Sequence, residues 1–463
     1  MAIVSDNGAN VASARRLICS KYKNILNIRC VAHCFNLISK DIIQHTFAGR
    51  MIQRACRIVQ FFKKSHKAMA ILKEKIRQHE IVGGGLKTYV ETRWTTVYEC
   101  VSSIVRLKSC LEEIRDNHAE VITTPAILTI LHGREFFYDM QHLSEILLPI
   151  KNAILVVEAT NSTLADAYIN LIKIAATIQN LPTDEYKGFR NHCIEKFNHR
   201  FEEFNDPIYQ LAFFLHPAYR KTLGFGLFSD IAHYAGQLWQ KMGKSKKSSE
   251  NLITQMRLYK EQKKYINGRP NPYAASYTIS GDMPDTPLTW WDTCEVKPNH
   301  LQRLAIKLFS ITPSSAACER MFSSLGWIYG KRRTRLGVDQ LEGLAKIYRF
   351  NLSSTSEKLC QTQPEMSSEM IKNIAKTVFN EFEEAFSEEL EDSELPNPAE
   401  HLYSNEPDLN LNISNIIDFQ SPIFRSTGIY FNDNNNEREE VSSEDEESDV
   451  NEIITSRLGR MQV

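Results

Sequence analysis

The chain has 463 residues, 42% of them apolar, with 10 Cys, 5 Trp and 55 Lys+Arg against 56 Asp+Glu. That length asks for two or three structural units, and the apolar share excludes a wholly disordered or fibrous chain. No apolar run approaches the ~20 residues that span a bilayer, and the opening residues lack a secretory-signal pattern.

Ten scattered cysteines fit a reducing compartment better than a disulfide scaffold, so the expectation is a soluble intracellular protein. The formal charge of −1 hides a separation. From Glu381 onward there are 22 acidic and 4 basic residues, which leaves 51 basic and 34 acidic before it. A body this basic favours a polyanionic partner, with nucleic acid the commonest; the plainer reading is lysines that solvate helix faces.

In chain order, Ala2 to Val4 reads as a short strand ending at the turn Ser5-Asp6-Asn7-Gly8. A helix from about Asn10 follows, with Val11, Ala14, Leu17 and Ile18 as its apolar stripe. A second strand, Leu26 to Ala32, leads into another apolar helix through Ile42, so residues 1–43 read as a fragment of an α/β core. From 44 to 266 the pattern is long amphipathic helices, broken by Gly83-Gly84-Gly85 and by Pro125, Pro149, Pro182, Pro207 and Pro217.

Residues 267–298 hold five prolines and end in Trp290-Trp291, and read as a connector. Residues 299–352 read as helices. One is capped by Asn299 with the stripe Leu301, Leu304, Ala305 and Leu308; one is opened by Thr312-Pro313 and runs to Leu325; one spans Asp339 to Phe350. An amphipathic helical extension is expected over 353–387, and a disordered acidic tail over 388–463.

Few residues carry chemistry by pattern. Asp6, where a strand meets a tight turn, is a common place for a catalytic carboxylate, and equally for an Asx-turn residue or cap. Glu319 sits one position off the apolar stripe Cys318, Met321, Phe322 and Leu325, so it needs a cation, a metal or an Arg or Lys partner. Cys30 and His33 stand three apart at a helix start, but no second pair at finger spacing exists to complete a zinc site. Arg93-Trp94 fits either base stacking or a packing anchor. Lys331, Arg332, Arg333 and Arg335 form a basic cluster suited to phosphates or to nuclear import, and Lys63-Lys64-Ser65-His66-Lys67 a weaker one. No Gly-x-Ser-x-Gly elbow or phosphate-binding glycine loop occurs.

Taken in order, three segments resemble the hAT superfamily of DNA transposases. They are Val4-Ser5-Asp6-Asn7-Gly8-Ala9-Asn10 with Arg29-Cys30-Val31-Ala32-His33-Cys34-Phe35-Asn36-Leu37; Thr92-Arg93-Trp94; and Ser314-Ser315-Ala316-Ala317-Cys318-Glu319-Arg320-Met321-Phe322-Ser323. The resemblance spans residues 1–352. It implies a partial ribonuclease-H-like α/β core interrupted by a large helical insertion, then a C-terminal dimerisation region. In that family three carboxylates hold two Mg²⁺ or Mn²⁺ ions; Asp6 matches the second and Glu319 the third. Cys30 and His33 match core-organising positions, and Arg93 and Trp94 match DNA-handling ones.

Only five residues precede Asp6. The expectation is therefore a catalytically incomplete, nuclear, transposase-derived protein that dimerises through Leu304, Leu308 and Leu344 and keeps residual DNA contact. An active transposase whose upstream coding region is missing, or a helical interaction scaffold, are the alternatives.

Overall fold

The computed structural model describes residues 2–91, 93–159, 161–183, 185–204, 206–220, 227–261, 263, 265–266, 269–278, 285–329, 337, 339–347, 350, 407–417 and 419. They fall into two compact units, Met1–Ala316 with Pro398–Met461, and Ala317–Asn397 with Gln462–Val463. Most described residues are helical.

The first unit opens as strand β1 (Ala2–Ser5), helix α1 (Ala9–Lys21), strand β2 (Leu26–Arg29) and helix α2 (Val31–Ile43). The strands pair in parallel, with Ala2 opposite Leu26 and Ser5 opposite Arg29. A parallel pair needs a crossover, and α1 supplies it. The second strand is shorter than its sequence pattern indicates, because Cys30 already caps α2 with φ −63° and ψ 110°. The stripe expected on α1 also differs: Leu17 is 67% exposed and Val11 43%, while Ala12 and Arg15 face inward.

The helices continue as α3 (Thr46–Lys64), α4 (His66–Gln78), α5 (Thr96–Arg106), α6 (Lys108–Asn117), α7 (Pro125–His132), α8 (Phe136–Glu158), α9 (Leu164–Gln179), α10 (Lys187–Phe201), α11 (Pro207–Leu215), α12 (Leu227–Lys241) and α13 (Lys246–Glu261). Pro125 and Pro207 open α7 and α11, where the missing N–H costs nothing. Pro149 breaks nothing and lies inside α8. That helix packs against α2, α5 and α9, and this burial overrides the local penalty of proline. Helices α9 and α11 are apolar nearly all round and bury nearly all round, which places them at the centre. Ser65, within the weaker basic cluster, caps α4 by accepting the Ala68 N–H.

A two-residue hairpin, β3 (Tyr265–Ile266) and β4 (Arg269–Pro270), precedes α14 (Pro287–Asp292) and α15 (His300–Phe309). Trp290 and Trp291 are buried, and the indole N–H of Trp291 and the hydroxyl of Tyr259 both donate to the Leu215 carbonyl at 2.9 Å. The Arg220 guanidinium lies 5.0 Å from the Tyr259 ring centre and 5.7 Å from that of Trp290, and donates to the Tyr273 carbonyl. No described helix is long and apolar enough to cross a membrane.

Two expectations for the C-terminal part are corrected. The helix expected from Thr312-Pro313 begins later, as α16 (Ala316–Tyr329), and runs through Gly326. The tail is not uniformly without structure: in the first unit Leu411, Ile413, Ile417 and Phe419 are buried, with a short 3-10 turn at Asn412–Asn415. Leu409, Leu411 and Ile413 alternate with asparagines, an apolar period of two that the acidic surroundings conceal. The amphipathic extension over 353–387 and the rest of the tail lie outside the described residues.

The second unit contains α16 and a helical stretch over 339–347. Here Cys318 and Phe322, expected in a buried stripe, are exposed, Phe322 at 72%. Leu344 and Ile347 are exposed as well.

Leu304 and Leu308, expected in a self-association surface, are instead fully buried on α15 in the chain's own core. Leu304→Ala should therefore destabilise the fold by about 2–5 kcal/mol. The measurement is urea unfolding, where Leu344→Ala should leave the midpoint nearly unchanged.

Candidate functional site

The local geometry starts at the C-terminal ends of the paired strands. The Cys30 N–H donates to the Ser5 carbonyl at 2.7 Å, extending the ladder to the first residue of the helix cap. Helix α2 then leaves unsatisfied N–H groups at its N-terminus, and Val31 is fully buried there. Its N–H donates to the Pro313 carbonyl at 2.9 Å. Beside it the Cys30 thiol and Ser314 hydroxyl lie 3.8 Å apart, and the Ser315 N–H donates to the Cys30 sulfur at 3.4 Å. The stretch before α16 is thus docked on α2 as non-helical chain, which is why the helix expected from Thr312 starts at Ala316.

Asp6 follows β1 in an exposed turn, and its Oδ1 accepts the Gly8 N–H at 3.3 Å. Behind this turn is a residue that the pattern did not single out, Arg15, only 3% exposed. Its guanidinium donates to the carbonyls of Ser5 and Asp6 at 3.2 and 2.6 Å, to Asn7 Oδ1 at 3.3 Å, and to the side chains of Ser5 and Asn27. One cation therefore fixes the end of β1, the Asp6 turn and β2 together. The available signal was an Arg on the helix that follows a turn rich in oxygen acceptors. Among the described residues no group of three or more His, Cys, Asp or Glu side chains could hold a metal ion. Glu319 lies in the first turn of α16, in the second unit.

The Cys30/His33 and Arg93-Trp94 motifs, some sixty positions apart, come together. The rings of His33 and Trp94 lie 6.3 Å apart between centroids, tilted by 56°. Trp94 is half-buried against the core, and Arg93 next to it is exposed. Thr96 ties this loop: its hydroxyl accepts the Val90 N–H at 3.1 Å and reaches the Val90 and Arg93 carbonyls at 2.8 and 2.9 Å. Thr95 has φ +53°, a left-handed backbone that a β-branched residue adopts at a cost. The strain sits directly beside Trp94. Lys331, Arg332, Arg333 and Arg335 lie outside the described residues.

A chain of charges braces the other side of α2. Arg29 pairs with Glu203 at 3.0 Å, Glu203 with Arg200 at 3.1 Å, and Arg200 holds Asp41 through two bonds of 2.6 and 3.2 Å. Cys34 lies inside this arrangement, 3.6 Å from Glu203. Burial, with the neighbouring carboxylate, pushes its thiol up to about 12.

Two family models match the chain. One, described as the ZBED1 RNase-like helical domain, covers residues 28–127 and takes in Cys30, His33, Arg93 and Trp94. The other, the hAT family C-terminal dimerisation region, covers 278–349 and takes in Pro313, Ser314, Glu319 and Leu344. The Val31–Pro313 and Cys30–Ser314 contacts join the two matched regions. No curated protein matches the chain.

Because Cys34 stays a thiol, iodoacetamide at pH 8 should leave it unmodified in the folded protein while alkylating the exposed Cys318. Peptide mass spectrometry checks this, and urea should abolish the difference.

Proposed function

Starting from a chain that is hAT transposase-like at both matched regions, we propose that it is a self-associating, transposase-derived protein that contacts DNA through its Arg93-Trp94 loop. The observation that carries the reading is the pairing of Trp94 with His33 beside an exposed Arg93. An indole fixed from behind by the core offers a face to an unpaired base, a contact worth ~1–3 kcal/mol. A guanidinium next to it supplies the charge that phosphate requires. Thr96 and the strained Thr95 hold that pair in place before any ligand arrives.

The ribonuclease-H-like core is part of the same proposal. It is supported by the parallel β1–β2 pair, the α1 crossover and the carboxylate of Asp6 at a strand end. In this reading Asp6 and Glu319 are, by their places in the sequence motifs, remnants of the family's three-carboxylate site and leave it catalytically incomplete; Mg²⁺ or Mn²⁺ is the ion class that such hard oxygens select. The compartment that goes with DNA contact is the nucleus.

Self-association rests on the dimerisation region and on the apolar residues its helices expose. Phe322, Leu344 and Ile347 lie in the second unit at 72%, 38% and 59% exposure. Exposed apolar side chains of this size mark contact surfaces when they cluster within one interaction region. Phe322→Glu combined with Ile347→Glu should convert a dimer to a monomer in light scattering while leaving the helical circular dichroism unchanged. A monomeric unmodified chain at micromolar concentration would remove this part of the reading.

For DNA, single-strand affinity should fall as salt rises, and Trp94→Ala should weaken it about 5- to 150-fold. Arg93→Ala should reduce the slope of log affinity against log salt by about one. Fluorescence anisotropy across a salt series measures both. Affinity indifferent to salt and to Trp94 would favour a helical interaction scaffold instead.

A further inference from the structure

Helix α10 carries two asparagines, Asn191 and Asn198, that contribute nothing to its helical stability. Both are spent on the main chain of the segment 407–412. Asn191 Nδ2 donates to the Pro407 carbonyl at 3.1 Å, and its Oδ1 accepts the Leu409 N–H at 3.2 Å. Asn198 repeats the pattern: Nδ2 donates to the Asn410 carbonyl and Oδ1 accepts the Asn412 N–H, each at 2.8 Å. Each side-chain amide thus engages one C=O and, two residues on, one N–H, as a neighbouring β-strand would.

The spacing explains why both can act at once. Seven residues of helix advance about 10.5 Å, and three residues of extended chain advance about 10 Å. The segment therefore runs parallel to α10 in register with its asparagines. Its side chains add a second layer of recognition, with Leu411 and Ile413 buried at alternate positions and Ile417 and Phe419 buried beyond them. Charge supplies a third. The side chain of Arg190 is only 11% exposed, and among the described residues its Nε and Nη1 have no hydrogen-bond partner. The segment brings Asp408 to 4.0 Å from Arg190 and to 3.7 Å from Lys187.

We infer that this face of α10 is a binding groove for an extended acidic-apolar peptide, and that the chain's own residues 407–417 are its resident ligand. The asparagines read main chain, so any segment with an Asp followed by apolar residues at alternate positions satisfies the same groove. Tethering gives the resident segment an effective concentration that a free competitor has to exceed. Binding of a second such peptide and release of the tail are consequently one event.

The test uses the full chain and a fluorescent synthetic peptide of residues 405–421. The unmodified chain should bind the peptide weakly. The chain carrying Leu411→Asp and Ile413→Asp, whose own segment no longer docks, should bind it at least about tenfold more tightly. Adding Asn191→Ala and Asn198→Ala should abolish that gain. Hydrogen exchange of the unmodified chain gives a readout free of any folding defect: the Leu409 and Asn412 amides should be protected, and Asn198→Ala alone should release Asn412 while α8 and α9 stay protected. Zero-length cross-linking of Lys187 to Asp408 in a mixture of heavy and light chains should give links within one chain. Equal peptide binding by all variants, or unprotected Leu409 and Asn412, would overturn the groove. Mixed heavy–light links would overturn its occupation by the same chain.

Discussion

The backbone amide of Val31 is the point on which the rest of the first unit depends. It is the first N–H of α2, it is wholly buried, and a buried donor without an acceptor is expensive. Its partner, the Pro313 carbonyl, comes from almost three hundred positions later. That single requirement brings the stretch before α16 against the end of the β1–β2 pair, and the Cys30–Ser314 contact seals the same seam. Between the two partners lie most of the described helices. They must close on themselves for the bond to form, so the helical region acts as a long brace around a short junction.

Arg15 does for the Asp6 turn what Pro313 does for α2. A guanidinium has five donors in a rigid plane, and here it spends them on backbone and side-chain oxygens of β1, β2 and the turn between β1 and α1. The consequence is a carboxylate at a strand end whose backbone has little freedom. The chain of Arg29, Glu203, Arg200 and Asp41 braces α2 against the α10 region in the same manner, through alternating charges. Such a network is intolerant of losing one member, because the remaining charge is left half-buried and unpaired.

Several elements were legible from residue order because their causes are local. The turn at Asp6 to Gly8, the start of α15 at Asn299 and its stripe Leu301, Leu304, Ala305 and Leu308 all follow from short-range stereochemistry and periodicity. Reading failed where a long-range partner supplied what local chemistry lacked. Pro149 sits inside α8 because burial on several sides holds the helix. Thr312-Pro313 is a good helix opening that docking on α2 keeps out of the helix. Leu304 and Leu308 make a fine apolar stripe whether it faces another copy or the same chain, and only the packing distinguishes those cases.

The sequence by itself determined that the protein is mainly helical, that it opens with strand, helix, strand and helix, and that its motifs resemble those of hAT transposases. These depend on side-chain type and spacing along the chain, which the order of residues contains. Tertiary structure alone decided that His33 meets Trp94, that Arg15 clamps the Asp6 turn, and that a run of leucines, isoleucines and asparagines in an acidic tail lies along α10. The first and last join groups far apart in sequence, and the Arg15 clamp, though only nine residues from Asp6, depends on β1 and β2 lying side by side. Their meeting is set by how the helices close around the core, and by the need of every buried donor and charge to find a partner.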